Sequence, residues 1–344
     1  MLITVLIITI LISIIFILKG VYSPNYKGEI SDHFNGTEFY SPYNKSEVKG
    51  IKILLKWILH REKGVWNKVS NLESVLKRNY INSLGDLDIV FINHSTFIIR
   101  IDGITIITDP VFDKCVGLFG IYGPKRMQPT GLKINELMKV DLVLISHNHY
   151  DHLDIISLKK IFRKYSPKIL TPLGVGNYLK MNNINNYYDL DWWDETEVNS
   201  EISIVCVPAN HFSGRGLTDR NKTLWCGYII KSKYGFVYFV GDTGYDEKLF
   251  KEIGKKFGDI SLSLIPIGAF KPEWFMSPVH VSPEQAIKIH FDVKSIKSIA
   301  MHWGTFQLAD DGMYEPKTLL DSLTDEMGIE NFIALKNGES IKIR

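Results

Sequence analysis

The chain has 344 residues, 45% hydrophobic and 12% aromatic, enough for one large domain or two medium ones with a well-packed core. Its 40 basic and 38 acidic residues leave a formal net charge of +2, so there is no overall basic field to support nucleic acid as a partner. Cys115, Cys206 and Cys226 are an odd number without metal-type spacing, and they read as reduced core residues rather than a disulfide framework.

In chain order, residues 2–18 carry no charge and only Thr and Ser as polar interruptions. A run of that length, at about 1.5 Å per residue, comes close to a bilayer core. No basic residue precedes it and no small-residue cleavage signature follows, so residues 1–20 are expected to form a retained transmembrane anchor rather than a removed signal peptide. Lys19, Lys27, Lys45, Lys49 and Lys52 follow it and favour a cytoplasmic body by the positive-inside rule. Residues 21–64 read as a spacer and a basic amphipathic helix. Up to residue 50 the stretch is polar, rich in Gly, Asn and Tyr, and without periodicity. Ile51, Leu54, Leu55, Ile58 and Leu59 then recur at helical spacing, with Lys52, Lys56, Arg61 and Lys63 between and after them. That helix either packs on the following domain or lies on an anionic membrane surface.

Residues 65–344 read as one body. Short β-branched runs at 89–92, 96–101 and 104–108, broken by Asn93-His94 and by Asp102-Gly103, predict a β meander. Further strands are expected at 142–146, 202–207, 224–230, 236–240, 263–267 and 298–301, with helices at 157–164, 247–257 and 283–291. The last helix is signalled by Ser282 as N-cap, Pro283 at its first position and Gln285 completing a capping box. Strands and helices alternate twice over, which predicts an α/β sandwich.

The stretch "HNHYDHLD", residues 147–154, follows the apolar residues 142–145 and Ser146. A strand ending at Ser146 and an irregular turn let His147, His149, Asp151 and His152 converge, with the imidazole nitrogens and carboxylate oxygens that zinc prefers. His211, Asp242, His280 and His302 stand singly downstream, each at a strand end or in a loop. With His280 set aside, seven ligand-type residues exceed what one tetrahedral zinc uses. With Asp242 shared as a bridge they supply two sites.

This order of residues resembles the metallo-β-lactamase fold hydrolases. More narrowly, "GPKRM", "SHNHYDHLD", "DLDWWDE", "GDTGY", "IPIGA", "WFM", "HVSPEQA", "HWGTF" and "LKNGES", within residues 65–344, resemble the N-acyl-phosphatidylethanolamine-hydrolysing phospholipase D family. The resemblance implies a four-layer αββα sandwich and a phosphodiesterase with two zinc ions that splits N-acyl-phosphatidylethanolamine into N-acylethanolamine and phosphatidic acid. It implies one zinc held by His147, His149 and His211, the other by Asp151, His152 and His302, and Asp242 between them. It places His280 near the substrate phosphate, preceded by an apolar Val279 where a polar residue is often found. In this chemistry Asp151 orients the nucleophile, and His280 stabilises phosphoryl oxygens or protonates the leaving group.

His94 and Asp109 lie at strand ends, as partners for zinc-bound imidazoles or as structural hydrogen-bonders. Lys125 and Arg126 meet a phosphate or form a solvated basic loop. Trp192, Trp193, Trp274, Phe275 and Met276 line an acyl channel or belong to ordinary core. The expected partners are a phospholipid and a membrane, with a homodimer left open. Two other functions compete: a di-metal hydrolase of a soluble phosphodiester or lactone, and a non-catalytic membrane scaffold, which a missing ligand would mark.

Overall fold

A computed structural model describes residues 4, 5, 9, 23–43, 51–70, 87–216 and 218–343. In chain order its elements are α1 (Ile51–Leu59), β1 (Leu87–Asn93), β2 (Thr96–Ile101), β3 (Ile104–Thr108), β4 (Leu142–Leu144), α2 (Ile155–Tyr165), β5 (Lys168–Pro172), α3 (Val175–Met181), β6 (Tyr187–Leu190) and β7 (Glu195–Glu197). They continue with β8 (Ser203–Val207), β9 (Gly227–Ser232), β10 (Gly235–Phe239), α4 (Glu247–Phe257), β11 (Leu262–Pro266), α5 (Glu273–Met276), α6 (Pro283–Asp292), β12 (Ser298–Met301), α7 (Glu315–Met327), β13 (Phe332–Ile333) and β14 (Ser340–Ile343).

Period-two patterning decides the layering, because successive strand side chains point to opposite faces. On β1, Leu87, Ile89 and Phe91 enter the main core, whereas Val90 and Ile92 face the other way into a second cluster. Phe97 and Ile99 against Ile98 on β2, and Leu142 and Leu144 against Val143 on β4, divide in the same manner. The second cluster is closed by Leu158, Ile161, Val175 and Leu179 of α2 and α3. Each fully buried Leu, Ile or Phe of this kind contributes about 1.5–3 kcal/mol.

Two seven-stranded sheets result, β14-β1-β2-β3-β4-β5-β6 and β13-β12-β11-β10-β9-β8-β7. Both are mixed in the same way. From β14 to β3 the first sheet pairs antiparallel and from β3 to β6 parallel; the second pairs antiparallel from β7 to β10 and parallel from β10 to β13. The sheets share the main core, and Leu249, Phe250 and Ile253 of α4 with Ala286, Ile287 and Ile289 of α6 cover the second sheet. The αββα layering expected from the sequence is therefore observed.

Several expectations are corrected. No helix among the described residues is long and apolar enough to cross a membrane. Of the segment 1–20, only Thr4, Val5 and Thr9 are described, so the expected anchor otherwise lies outside the described residues. The single-pass membrane placement, and the cytoplasmic side inferred from its flanking lysines, are accordingly withdrawn. The physical weak point is length, since the uncharged run 2–18 spans about 25 Å as a helix against a hydrocarbon core of about 30 Å.

Residues 23–43, expected within a spacer, are packed instead. Phe34 and Phe39 are each 1% exposed and belong to the main core. Backbone bonds from Tyr26 to Lys222 and from Phe39 to Asn221 fasten the segment, and His33 stacks on Trp192 at 4.5 Å. Three aromatic rings and a histidine in 21 residues hold the segment without secondary-structure periodicity, which is why pattern reading passes over them.

On α1, Trp57 is the residue that docks, among Ala269, Met276 and Ala309, and its indole donates to Asp310 Oδ2 at 2.6 Å. Leu54 packs partly buried against the same cluster, whereas Leu55 and Ile58, each 50% exposed, and Leu59, 78% exposed, face outward.

Candidate functional site

The site forms where strand ends of the two sheets meet. Sheet 1 supplies the turn after β4. There Tyr228 Oη donates to Ile145 O at 2.9 Å and Cys226 N to Ser146 O at 2.9 Å, so residues of the second sheet grip the chain as it leaves the first. The turn closes with Leu153 N on His149 O at 2.8 Å, and Asp154 then caps α2 by accepting from Ile156 N and Ser157 N.

The singly placed candidates come from the second sheet. His211 follows β8 by a short segment, Asp242 follows β10, and His302 follows β12 directly. Asn210 N donates to Thr243 Oγ1 at 2.9 Å and Gly244 N to Asn210 O at 2.7 Å, which ties the His211 loop to the Asp242 loop. Gly241, at φ +69°, must be glycine here: a Cβ would lie 2.7 Å from Cys226 O and 3.0 Å from Ser146 Cβ.

All seven residues converge. His147 Nε2 and His149 Nδ1 are 2.8 Å apart, and His211 Nε2 is 3.2 Å from the same His149 nitrogen. Asp242 Oδ2 lies 3.1 Å from His152 Nε2, 3.1 Å from His302 Nε2 and 3.7 Å from His211 Nε2. Asp151 Oδ2 is 3.4 Å from His152 Nε2 and 3.5 Å from His302 Nε2. Asp242 thus stands between a three-histidine cluster and an Asp151–His152–His302 cluster, and both sets are close enough to hold a metal ion.

Partners aim the rings inward. Asp109, wholly buried, accepts from Ser146 N at 2.7 Å and Ser146 Oγ at 2.6 Å, and lies 2.6 Å from His152 Nδ1. That fixes the His152 ring with Nε2 facing the site. His211 Nδ1 donates to the Val279 carbonyl at 2.8 Å, so the apolar side chain at 279 is immaterial to this contact. His94 Nε2 meets Asp151 Oδ2 at 3.0 Å, and the His94 carbonyl accepts from His302 N at 2.8 Å. His94 also falls within range of the Asp151–His152–His302 set, a place the sequence reading had not assigned to it.

Electrostatics divides the cluster. Burial holds His147 and His211 well below the usual histidine range and His149 at about 3, leaving neutral lone-pair donors facing one another. Burial also opposes charge on His302, but Asp242 and Asp151 outweigh it and carry that ring up to about 9. For Asp242 burial alone would raise the carboxyl, and His152 and His302 instead hold it well below the usual carboxylate range. Buried within this cluster, His302 Nδ1 and Asp242 Oδ1 have no hydrogen-bond partner among the described residues, while His152 Nε2 and His302 Nε2 crowd the same Asp242 oxygen at 3.1 Å. Buried polar atoms are normally paired, and a cation supplies the missing partner to nitrogen lone pairs and carboxylates alike, so the residues fit a metal centre.

The other candidates are placed as follows. His280 Nδ1 lies 3.8 Å from Asp242 Oδ2, and its ring is 5.1 Å from that of His211, within a further potential ligand group with both. The Arg126 guanidinium donates to Asp113 O, Asn93 Oδ1 and Val111 O at 2.9–3.0 Å and sits 4.8 Å from the Phe306 ring. Lys125 is exposed. Trp192 is core, its indole donating to Trp225 O. Phe275 stacks on Trp57 at 4.9 Å, and Trp274, half exposed, packs edge-on against Phe275.

The Beta-lactamase superfamily domain matches residues 105–303. A solved metallo hydrolase from the archaeon Ignicoccus hospitalis shares the fold, with a TM-score of 0.58 at 21% identity over 76% of this chain and 99% of that one. Fold and site together define the class, a metal-dependent hydrolase of the metallo-β-lactamase superfamily. N-acyl-phosphatidylethanolamine-hydrolyzing phospholipase D 1 of Caenorhabditis elegans is 35% identical over 263 residues, 72% of this chain and 74% of that protein. The mitochondrial N-acyl-phosphatidylethanolamine-hydrolyzing phospholipase D of Saccharomyces cerevisiae is 38% identical over 235 residues, 67% of this chain and 50% of its own length. Within the superfamily, the chain belongs to the family of these phospholipases D.

Proposed function

We propose that the protein is a zinc-dependent phosphodiesterase of phospholipase D type that hydrolyses N-acyl-phosphatidylethanolamine to N-acylethanolamine and phosphatidic acid. The observation that carries the reading is the position of Asp242 Oδ2, 3.1 Å from both His152 and His302 and 3.7 Å from His211, which suits a shared ligand between two ions. The substrate is supported by the family relationship to enzymes whose names specify that lipid.

In this reading His147, His149 and His211 hold one zinc, Asp151, His152 and His302 the other, and Asp242 both. The ions, when bound, supply positive charge against the phosphodiester and acidify water at neutral pH. The protein's own groups do the rest. Asp151, braced by His94, presents a carboxylate that orients the attacking water. Burial brings His280 down to about 4, against the pull of Asp242, so it enters as a neutral imidazole. A neutral imidazole there can donate a hydrogen bond to a phosphoryl oxygen as charge develops. Leu55, Ile58 and Leu59, exposed beside Lys52 and Lys56, support contact with the lipid surface that holds such a substrate.

The test is product analysis by mass spectrometry on full-length, zinc-replete protein. It is offered vesicles containing N-acyl-phosphatidylethanolamine, vesicles of phosphatidylcholine alone, and a soluble phosphodiester. The expected outcome is N-acylethanolamine and phosphatidic acid from the first, with about two zinc equivalents per chain. Cleavage of the soluble diester alone would overturn the lipid assignment, and full activity with one equivalent would overturn the paired site.

A further inference from the structure

Arg215 lies four residues beyond His211 and is 8% exposed. Its Nη1 donates to Asn148 O at 2.7 Å and to Leu153 O at 3.0 Å, so one nitrogen joins the two ends of the ligand turn. The guanidinium lies 3.9 Å from the Tyr150 ring and 4.6 Å from that of Tyr178. The neighbouring Gly214 N donates to Asn148 Oδ1 at 2.7 Å. Arg215 is itself anchored, since its backbone N–H meets both carboxylate oxygens of Asp219 at 3.1 Å, and Gly216 N reaches Oδ1 at 2.7 Å. The segment carrying His211 therefore grips the turn carrying His147 and His149 from behind, at the residue between them.

The two halves of the site differ in what else braces them. His152 has Asp109, Asp151 has His94, and the backbone of His302 is tied to His94. On the other side His147 has Ser146 Oγ at 2.9 Å and His211 has the Val279 carbonyl. Among the described residues no carboxylate, carbonyl or hydroxyl is hydrogen-bonded to the His149 ring, which contacts His147, His211 and Phe212. Its place follows from the backbone of the turn, and that backbone is what Arg215 holds. A buried guanidinium is a poor device for bulk stability, because its desolvation offsets most of what its bonds return.

We propose that Arg215 is a positioning residue that registers His149 with His147 and His211, so that the three-histidine metal site depends on it and the Asp151–His152–His302 site does not. The inference rests on the metal-site reading above. It does not depend on which substrate is cleaved.

The experiment is equilibrium dialysis of full-length wild type, Arg215→Met and Arg215→Lys against cobalt(II) and zinc(II). Metal is counted by mass spectrometry and the cobalt absorption spectrum is recorded. Wild type should take two equivalents. Arg215→Met keeps the stem but loses the donors: it should retain one equivalent at wild-type affinity and bind the second about 10- to 100-fold more weakly, with loss of one component of the cobalt spectrum. Arg215→Lys, which keeps a donor able to reach both carbonyls, should recover part of that affinity. His302→Ala should lose the opposite spectral component. Two equivalents at wild-type affinity and an unchanged spectrum in Arg215→Met would overturn the inference alone. Equal weakening of both sites in folded Arg215→Met and Arg215→Lys would also overturn it, as the mark of general loosening. If Arg215→Met fails to fold, the selective weakening must appear in Arg215→Lys, and its absence there overturns the inference. A wild type that takes up no metal overturns the site reading itself.

Discussion

The two sheets contribute to the site in opposite ways. The first delivers His147, His149, Asp151 and His152 from one turn six residues long, whereas the second delivers His211, Asp242 and His302 one at a time from the ends of three strands. The local group owes its shape to nearby braces, such as Asp109 on His152 and the turn bond between Leu153 and His149. The dispersed group owes its shape to sheet packing, with the Cys226–Ser146 and Asn210–Gly244 bonds as its cross-links. Ligands spaced far apart in sequence tie metal binding to the folded state, because no unfolded chain brings them together.

The sharpest break of this contrast is the loss of a dispersed ligand. Asp242→Asn or His302→Ala should lower metal content and rate together, the rate by on the order of a thousandfold, exceeding the effect of losing a supporting partner. Metal analysis alongside turnover checks it, and full metal with normal turnover in either variant would sink the shared-ligand geometry.

A smaller effect is expected where a loop residue, between α5 and α6, reaches the site without needing to hold metal. His280→Ala should keep the metal count of the wild type and lose about a hundredfold in turnover, the size of one hydrogen bond made to developing charge. Zinc loss in that variant would show that the His211–Asp242–His280 group coordinates after all.

Asp109→Asn tests the local brace. The amide keeps the shape but cannot accept from His152 with the same charge, so metal affinity should fall about tenfold or somewhat more, measured by competition with a chelator. Affinity equal to wild type would mean that the turn holds its own geometry.

The smallest effect concerns residues 23–43, which among the described residues reach the site only through the Ser41 hydroxyl on Asn210, beside His211. His33 lies between Asp32 at 2.6 Å and Asp191 at 2.7 Å. Burial opposes its charge, but Asp191 and Asp32 outweigh burial and raise the ring above its ordinary value. A raised folded value means that this contribution is fully present below about pH 6.5 and is lost as the pH rises through the folded value. For a partly solvated pair it amounts to less than about 1 kcal/mol. Thermal melts of wild type and His33→Gln should therefore differ most near pH 5.5 and converge by pH 9, with metal content equal throughout. A gap that widens with pH would reverse the sign and refute the assignment.

Legibility followed the same divide. The ligand types and their order stand openly in "HNHYDHLD" and in the single motifs, because metal chemistry needs those side chains whatever the fold. Strands β1 to β3 were readable because their β-branched runs alternate between two apolar clusters, and β12 because it is an apolar run leading straight into His302. Strands β5, β6 and β7 were not, since they lie toward one end of their sheets and "KILTP", "YYDL" and "ETE" carry too few aliphatic residues to stand out as runs. Helix α7 was missed for a related reason, as it buries only Pro316, Leu320 and Thr324.

The two arginines are equally instructive. Arg126 reads, with Lys125, as either a phosphate contact or part of a solvated basic loop, and three of its N–H groups are engaged by Asp113, Asn93 and Val111. Arg215 stands in an unremarkable "SGRGL" and ends up against the back of the ligand turn. A side chain's type is a local property, but its partner depends on which distant backbone is brought within about 3 Å.

The sequence by itself determined the residue types of the metal site, their order, and the alternation that makes two sheets with helices outside them. Tertiary structure alone decided that Arg126 binds the loop carbonyls around it, that Phe34 and Phe39 belong to the core, and that Leu55, Ile58 and Leu59 of α1 face outward. Each of these turns on contacts between segments far apart in the chain, and close packing selects among the faces and partners that a local pattern leaves equivalent.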